Sequence, residues 1–266
     1  MKKLLLFITA LFLLVSVDRQ ILRYSNYVAP TPPEPETELR GPDELYDGHS
    51  VVWLEHDTLL TESSGAVSAW TDIANGYQLI PYATDGSTAT SDNYPSWTES
   101  NGVVFDGTND VLKYMVDGWG IFGTGTVYAV VKQVGWAANG VLFGYAGAGS
   151  VRVGQKGTTP EIRALSSSGD SPGITNFTIG TIGILVMHVD GPNNTINLSL
   201  NNGTPVTNTT SLSGFYANGV TLGAIHAIAP AFQRYGNVAI YAIIYRDQID
   251  NGATLTAIYN YLDTKY

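Results

Sequence analysis

The stretch Gly102-Val103-Val104-Phe105-Asp106-Gly107-Thr108-Asn109-Asp110-Val111-Leu112 decides the fold of this chain. Its first half is β-branched and aromatic, and its last residues restart an apolar run that continues to Tyr114. The Asp-Gly pair between them accepts the positive φ of a tight turn. The stretch therefore predicts a strand, a tight turn and a second strand.

The same chemistry recurs along residues 43–266. Short β-branched and aromatic runs predict ten strands, at Ser50–Leu54, Gly102–Phe105, Val111–Met115, Thr126–Lys132, Val141–Tyr145, Ser150–Val153, Ile182–Val189, Thr195–Leu200, Val220–Leu222 and Gly236–Tyr245. The runs 126–131 and 183–189 are apolar at both even and odd positions, which predicts central strands buried on both faces. Run 194–200 alternates, which predicts one wet face. So many short strands predict an all-β, two-sheet antiparallel sandwich.

One helix is predicted, at the C-terminus. Leu255, Ile258, Tyr259 and Leu262 recur at spacings of three and four after Asp250 or Asn251, either of which can cap a helix. We expect this apolar stripe to dock against the sandwich edge.

Composition narrows the classes of partner. The chain of 266 residues has a formal net charge of −10, and its few Lys and Arg residues are scattered, so nucleic acid is excluded as a partner. It contains no cysteine, which excludes disulfides, thiolate metal sites and a thiol nucleophile. Glycans are compatible with such a surface.

The N-terminus indicates export. Met1-Lys2-Lys3 precedes an uncharged run at residues 4–17, which as a helix would span roughly 21 Å against a hydrocarbon core of about 30 Å. That length favours a signal segment, but no Ala-x-Ala cleavage pattern follows, so a membrane anchor through residues 4–17 stays open. We expect a signal or anchor at 1–17, a Pro/Glu-rich linker at 18–40, a domain at 41–266, and an extracellular or surface-displayed location.

Three motifs carry a family resemblance: Trp70–Tyr77, the Phe105-Asp106-Gly107 turn, and the segment from Tyr241 to Tyr266. In this order they resemble the LamG-like, concanavalin A-like lectin/glucanase superfamily of bacterial and phage proteins. Ile73-Ala74 departs from the Ser-Gly of the relatives. The resemblance implies a two-sheet jelly-roll sandwich with a short C-terminal helix over 41–266, and it implies a scaffold, not a reaction.

A cation site is one interpretation of the opening stretch. Asp106, Asn109 and Asp110 place three oxygen-bearing side chains within five residues, and calcium is the cation that such ligands suit. The alternative is that they form and cap the turn, because a calcium ion takes six to eight oxygens and the EF-hand spacing is missing.

Aromatic residues in glycine-rich turns are the best candidates for binding sugars, whose apolar faces stack on such rings. Trp119, Trp136 and Tyr145 are the candidate ligand-binding residues. The alternative is that each closes the end of the core.

These observations lead to the expectation of a non-catalytic carbohydrate-binding or adhesion module that recognises a glycan or cell-surface polysaccharide. A structural or host-attachment component of a phage virion or cell envelope, assembled with virion proteins or with itself, is the alternative. A glycoside hydrolase ranks third, because no strand carries the E-x-D-x-x-E carboxylates of laminarinase-type enzymes. The protein is thus expected not to be an enzyme.

Overall fold

The computed structural model describes residues 41–266 apart from 86, 88, 91–92, 115–123, 146–150, 158–160, 167–169, 210–218 and 229–230. The predicted signal or anchor at 1–17 and the linker at 18–40 lie outside the described residues. Among the residues that are described, no helix is long and apolar enough to cross a membrane.

The described residues form eighteen strands and one α-helix. The strands are β1 (Ser50–Glu55), β2 (Leu60–Ser63), β3 (Ala66–Thr71), β4 (Gln78–Pro81), β5 (Ser96–Thr98), β6 (Gly102–Asp106), β7 (Leu112–Tyr114), β8 (Thr124–Gln133), β9 (Val141–Tyr145), β10 (Arg152–Gln155), β11 (Ile162–Leu165), β12 (Ile182–Asp190), β13 (Thr195–Leu200), β14 (Val206–Thr209), β15 (Val220–Leu222), β16 (Ile225–Ile228), β17 (Ala231–Gln233) and β18 (Asn237–Arg246). Helix α1 spans Gly252–Lys265, and a 3-10 turn spans Asp43–Leu45. The predicted all-β class with a C-terminal helix is confirmed.

Sixteen of the described strands belong to one antiparallel network. Its order is β11-β10-β9-β15-β7-β4-β3-β5-β6-β18-β8-β12-β13-β14, with β1 on β18 and β2 on β3. We call the strands from β11 to β7 the β9 half and those from β3 to β14 the β8 half. Strand β4 joins the halves, because Leu79 lies opposite Trp70 of β3 and Ile80 lies opposite Lys113 of β7.

This continuity corrects the expected architecture. The sheet is nearly closed and barrel-like, and it does not separate clearly into the two sheets of a jelly roll. The sequence could not reveal this, because the joining strand β4 is four residues long and its pairing with β7 joins Ile80 to Lys113, which are distant in sequence.

The opening stretch is a corner between the two halves. Its residues form β6 and β7 as predicted, yet these strands do not pair with each other: β6 lies between β5 and β18, and β7 lies between β4 and β15. The Asp106 carboxylate accepts the backbone N–H of Thr108 at 2.7 Å and of Asn109 at 3.3 Å. The turn therefore passes the chain from the β8 half to the β9 half.

Strands β8, β12 and β18 of the β8 half are buried on both faces. Their inner face packs into the core through residues such as Val127 and Leu185, and their outer face buries Tyr128, Val130 and Ile184. The prediction that the runs 126–131 and 183–189 are central strands is confirmed. These outer residues need a covering element, and α1 supplies it.

Helix α1 packs on the outer face of the β8 half, where Ile258 and Leu262 are fully buried against Tyr128, Ile184 and their neighbours. The expectation that the helix docks at an edge is wrong, because the apolar surface it must cover lies on the face. Asn251 occupies the cap position with extended backbone, but its side chain makes no capping hydrogen bond.

Candidate functional site

The candidate site is a cleft between α1 and the β12–β13 hairpin, hereafter the α1 cleft. Strand β13 buries Ile196 and Leu198 in the core, so its other residues face outward. Asn197 lies opposite His188, and Ser199 lies opposite Val186. Two cross-strand pairs, His188 with Asn197 and Val186 with Ser199, therefore form the floor of the cleft.

The cleft has a volume of about 370 Å³, within the range of small-molecule sites. Leu255 and Tyr259 of α1 form one wall, and residues 202–205 form the rim. The lining thus combines a phenol ring with convergent polar side chains.

The rim is held by an Asn-rich turn that joins β13 to β14. Asn201 and Asn202 adopt positive φ values of 49° and 54°, which Asn tolerates better than most residues. The Asn201 side chain also accepts the backbone N–H of Ile184 at 2.8 Å, which ties the turn back to β12. The turn at Asn201-Asn202-Gly203 closes a hairpin, since Leu198 pairs with Val206 beyond it.

His188 is the most reactive group on the floor. Its Nε2 is buried and has no hydrogen-bond partner in the described part of the chain. Burial lowers the pKa of His188, although the nearby Asp250 carboxylate opposes this, so the ring is neutral at pH 7. Asn197 beside it accepts a hydrogen bond from the Thr207 hydroxyl at 2.7 Å, which orients the amide.

The cleft has neutral chemistry. Among the described residues that line it, none is Lys, Arg, Asp or Glu. Hydroxyl, amide and imidazole groups next to a phenol ring suit a ligand rich in hydroxyls and C–H groups. The sequence contains two signals for this site, namely His188 in an otherwise apolar strand and the alternation of polar and apolar residues in β13. Neither predicts a cleft, because the cleft also depends on where α1 packs.

Of the three aromatic residues predicted to bind sugar, Trp136 has a described side chain, and it is not part of the lining of the α1 cleft. Trp119 lies outside the described residues. Tyr145 ends β9, and its side chain is also outside the described part. Trp136 is half-buried and donates its Nε1–H to the carbonyl of Gly157 at 3.1 Å, so its indole N–H serves a loop contact. Their role as ligand residues stays a prediction.

The predicted calcium ligands act within the turn. Asp106 accepts the two backbone N–H groups described above, and Asp110 accepts the backbone N–H of Asp106 at 3.0 Å. Asn109 also lies in this turn. Across the described residues, no group of three His, Cys, Asp or Glu side chains is placed to hold a metal ion. One carboxylate oxygen of Asp106 and one of Asp110 are thus used by backbone N–H groups of the turn.

A carboxylate–tyrosine cluster lies beneath the C-terminal end of α1. Glu55 is fully buried and accepts hydrogen bonds from Trp53 Nε1 at 2.9 Å and from the Tyr261 hydroxyl at 2.5 Å, and Lys265 Nζ lies 2.5 Å from its other oxygen. Burial, reinforced by the Glu55 charge, raises the pKa of Tyr261, so the phenol stays protonated. The cluster is therefore suited to anchoring α1 rather than to supplying a nucleophile.

No protein family model and no curated protein sequence matches this chain. Solved structures share its fold. Trypanosoma rangeli sialidase in complex with sialic acid is 13% identical with a TM-score of 0.56, over 81% of this chain and 33% of the sialidase. The same sialidase as a covalent intermediate with 2,3-difluorosialic acid is 15% identical with a TM-score of 0.55, over 96% and 39%.

An arabinofuranosidase complexed with arabinofuranosyl-α-1,2-xylobiose is 16% identical with a TM-score of 0.52, over 74% of this chain and 50% of the enzyme. The chain thus spans between a third and a half of the length of these proteins, and at such identities the likeness shows the fold. Both proteins are, by name, enzymes that act on carbohydrates, and this chain shares their fold. The expectation of a non-catalytic module, with a virion or envelope component as its alternative, and the expectation that the protein is not an enzyme are wrong on this comparison.

Proposed function

We propose that the protein is a carbohydrate-active protein of the glycoside hydrolase class and that it holds a neutral sugar unit of its glycan in the α1 cleft. Membership of the concanavalin A-like superfamily and export through residues 1–17 are part of this proposal. The observation that carries it is the lining of the cleft, which sets Tyr259 beside His188, Asn197 and Ser199.

The chemistry of this lining supports a sugar over other small molecules. A sugar ring presents an apolar C–H face, which packs on a phenol, and a rim of hydroxyls, which need donors and acceptors. Among the described residues, His188 Nε2 has no hydrogen-bond partner that a ligand would displace, and Asn197 is already oriented by Thr207. Binding therefore adds hydrogen bonds without breaking internal ones.

The same lining favours a neutral glycan over an acidic one. Sialic acid carries a carboxylate, which in a half-buried site calls for a cation, and the described lining has none. A neutral ligand such as arabinofuranosyl-xylobiose needs no cation in its binding site. Between the two ligands seen in the structures that share the fold, the cleft suits the second.

Calorimetric titration of the full chain with arabinofuranosyl-xylobiose and other neutral oligosaccharides tests the proposal. Tyr259→Leu removes the ring and should weaken binding about tenfold, on the scale of a lost aromatic contact. Tyr77→Leu, at an exposed tyrosine that does not line the cleft, is the matched control. Sugar release is measured in the same samples to define the reaction. Failure of every neutral glycan to bind, or equal binding by the Tyr259 variant, would refute the site.

A further inference from the structure

A row of three polar side chains crosses the floor of the α1 cleft and continues beyond it. The strand registers place His188 of β12 opposite Asn197 of β13, and Asn197 opposite Thr207 of β14. His188 and Asn197 line the cleft, whereas Thr207 lies outside its lining. Residues that face each other on neighbouring strands have their Cβ atoms about 5 Å apart, so Thr207 can act on Asn197 from outside the cleft.

Thr207 fixes the orientation of the Asn197 amide. An asparagine amide has an oxygen that accepts hydrogen bonds and a nitrogen that donates them. The Thr207 hydroxyl donates to Asn197 Oδ1 at 2.7 Å, so the oxygen is turned to β14. No described residue accepts a hydrogen bond from Asn197 Nδ2. The half-buried amide therefore presents its N–H groups, and not its oxygen, to a ligand in the cleft.

Asn197 differs in this respect from the other polar groups of the described lining. Hydroxyl groups rotate, so they donate or accept as the ligand requires, and those of the lining belong to Ser199, Thr204 and Tyr259. The exposed Asn202 side chain makes no hydrogen bond to a described residue, so its amide can turn over. The neutral ring of His188 can carry its proton on either nitrogen. Among the lining residues that the structure describes, Asn197 alone has a fixed polarity, that of a donor.

We propose that Asn197 makes the α1 cleft specific for a sugar unit that has a hydroxyl group at the position facing Asn197, and that Thr207 is the positioning residue behind this specificity. The proposal rests on the proposed function of the cleft. The oxygen of such a hydroxyl accepts the Asn197 N–H. A sugar without it places a C–H group there and leaves the covered amide without a partner, which costs more than an ordinary hydrogen bond contributes. The substrate class is therefore a neutral sugar that keeps this hydroxyl, and the corresponding deoxy-sugar is rejected.

Analogues of arabinofuranosyl-xylobiose that each lack one hydroxyl group test the ligand side. In calorimetric titrations of the full chain, at least one analogue should bind about tenfold or more weakly than the parent, on the scale of an unpaired buried donor. Equal affinity for the parent and for every analogue overturns the proposal.

Thr207→Val tests the positioning role. Valine has a similar shape and no hydroxyl, so the Asn197 amide can turn over, and at this exposed position the unfolding curve should match that of the unaltered chain. The variant should bind the parent several-fold more weakly and lose most of its discrimination against the weak analogue. Thr207→Ser keeps the hydroxyl and should restore both the affinity and the discrimination, which a residue with a merely structural role would not govern.

Thr209→Val is the matched control. Thr209 is exposed, lies two residues further along β14 on the same face, and is not part of the cleft lining. This variant should bind the parent and the analogue as the unaltered chain does. Equal losses in the Thr207 and Thr209 variants would show that β14 in general, and not the hydrogen bond to Asn197, affects binding, which refutes the positioning role.

Asn197→Asp tests the amide itself. The carboxylate has nearly the same shape and still accepts the Thr207 hydroxyl, but it has no N–H to donate. The variant should bind the parent about tenfold more weakly and no longer distinguish it from the analogue. A ratio of the two affinities equal to that of the unaltered chain would contradict the role of Asn197.

The outcomes separate this proposal from the proposed function. If no neutral glycan binds, or if Tyr259→Leu binds as well as the unaltered chain, the proposed function fails and the specificity fails with it. If Tyr259→Leu weakens binding while Thr207→Val keeps full discrimination, the cleft binds sugar and the specificity proposal alone is refuted.

Discussion

The Tyr261 hydroxyl of α1 donates a hydrogen bond of 2.5 Å to Glu55 Oε1 at the end of β1, across 206 residues of sequence. Lys265, one turn further along the helix, places its ammonium 2.5 Å from Glu55 Oε2. Glu55 is fully buried, whereas Lys265 keeps 22% of its side chain exposed. A single carboxylate thus fixes the last turns of the helix to the sheet and, through the helix, sets the wall of the α1 cleft.

Glu55→Gln should lower the free energy of unfolding by about 2 kcal/mol, because the amide keeps the shape but leaves Lys265 without its buried counter-charge. The partial exposure of the Lys265 side chain and its second partner, Asp57 at 3.3 Å, keep the loss below that of a fully buried pair. Urea unfolding of Glu55→Gln, Lys265→Met and the double variant measures the coupling. Asp57→Asn, at the exposed partner, should change stability by less than about 0.5 kcal/mol. Strictly additive losses would contradict an ion pair between Glu55 and Lys265.

Gly223 is required by the opening stretch. It adopts φ +80°, and a Cβ there would lie 2.1 Å from Cδ1 of Phe105, a fully buried core residue. Gly223→Ala should cost about 3 kcal/mol from backbone strain and overpacking together. Gly180→Ala is the matched control, since Gly180 adopts φ +88° with nothing within 4 Å, and should cost about 1 kcal/mol. Thermal unfolding compares the two, and equal losses would show that the Phe105 contact is not limiting.

The surroundings of Phe105 illustrate which parts of the fold can be predicted from the sequence. Local chemistry predicted β6, the Asp106-Gly107 turn and β7, because turn residues and β-branched runs act over a few residues. It did not predict that β6 and β7 enter different halves of the network, since the partners β18 and β15 lie more than a hundred residues away. Pairing at that distance leaves no periodic trace in the sequence.

The α1 cleft could not be predicted from the sequence for a related reason. The spacing of Ile258 and Leu262 predicts the apolar face of α1 correctly. An apolar face alone does not identify the surface against which the helix packs. Placement on the face of the β8 half, and not at an edge, is what brings Tyr259 over His188. Tryptophans in glycine-rich turns carry the clearest local signal for sugar binding, so the sequence favours them over the residues of the α1 cleft.

Asp110 should make the protein more stable in acid. Burial raises its pKa to about 6, above the usual unfolded value of about 3.9. Between these values the folded state binds more protons than the unfolded state, so stability falls as pH rises from 4 to 6 and is level above. Asp110→Asn should therefore gain about 3 kcal/mol over the unaltered chain at pH 7 and only about 0.5 kcal/mol at pH 4. Urea unfolding across this range measures the gain, and a constant difference would contradict it.

The same turn allows a direct test of calcium. Asp106 and Asp110 each accept backbone N–H groups, so millimolar calcium should leave the unfolding midpoint of the unaltered chain unchanged. A midpoint that rises with calcium and returns with chelator would instead support a site at Asp106, Asn109 and Asp110.

His188 should make both stability and glycan binding sensitive to acid. Burial lowers its pKa below 6.5, the value expected for the unfolded chain, so below pH 6.5 the unfolded state binds the extra proton first and stability falls as pH falls through the folded pKa. A sugar that covers the ring would desolvate the imidazolium further, so affinity should hold from pH 8 to 6.5 and decrease below the folded pKa.

Unfolding and calorimetric titration at pH 7.5 and 5 measure the two effects. His188→Gln should remove this acid dependence of stability, whereas His49→Gln, at an exposed histidine 2.7 Å from Asp247, should retain it. Acid sensitivity of binding that is identical in both variants would show that another group titrates in the α1 cleft.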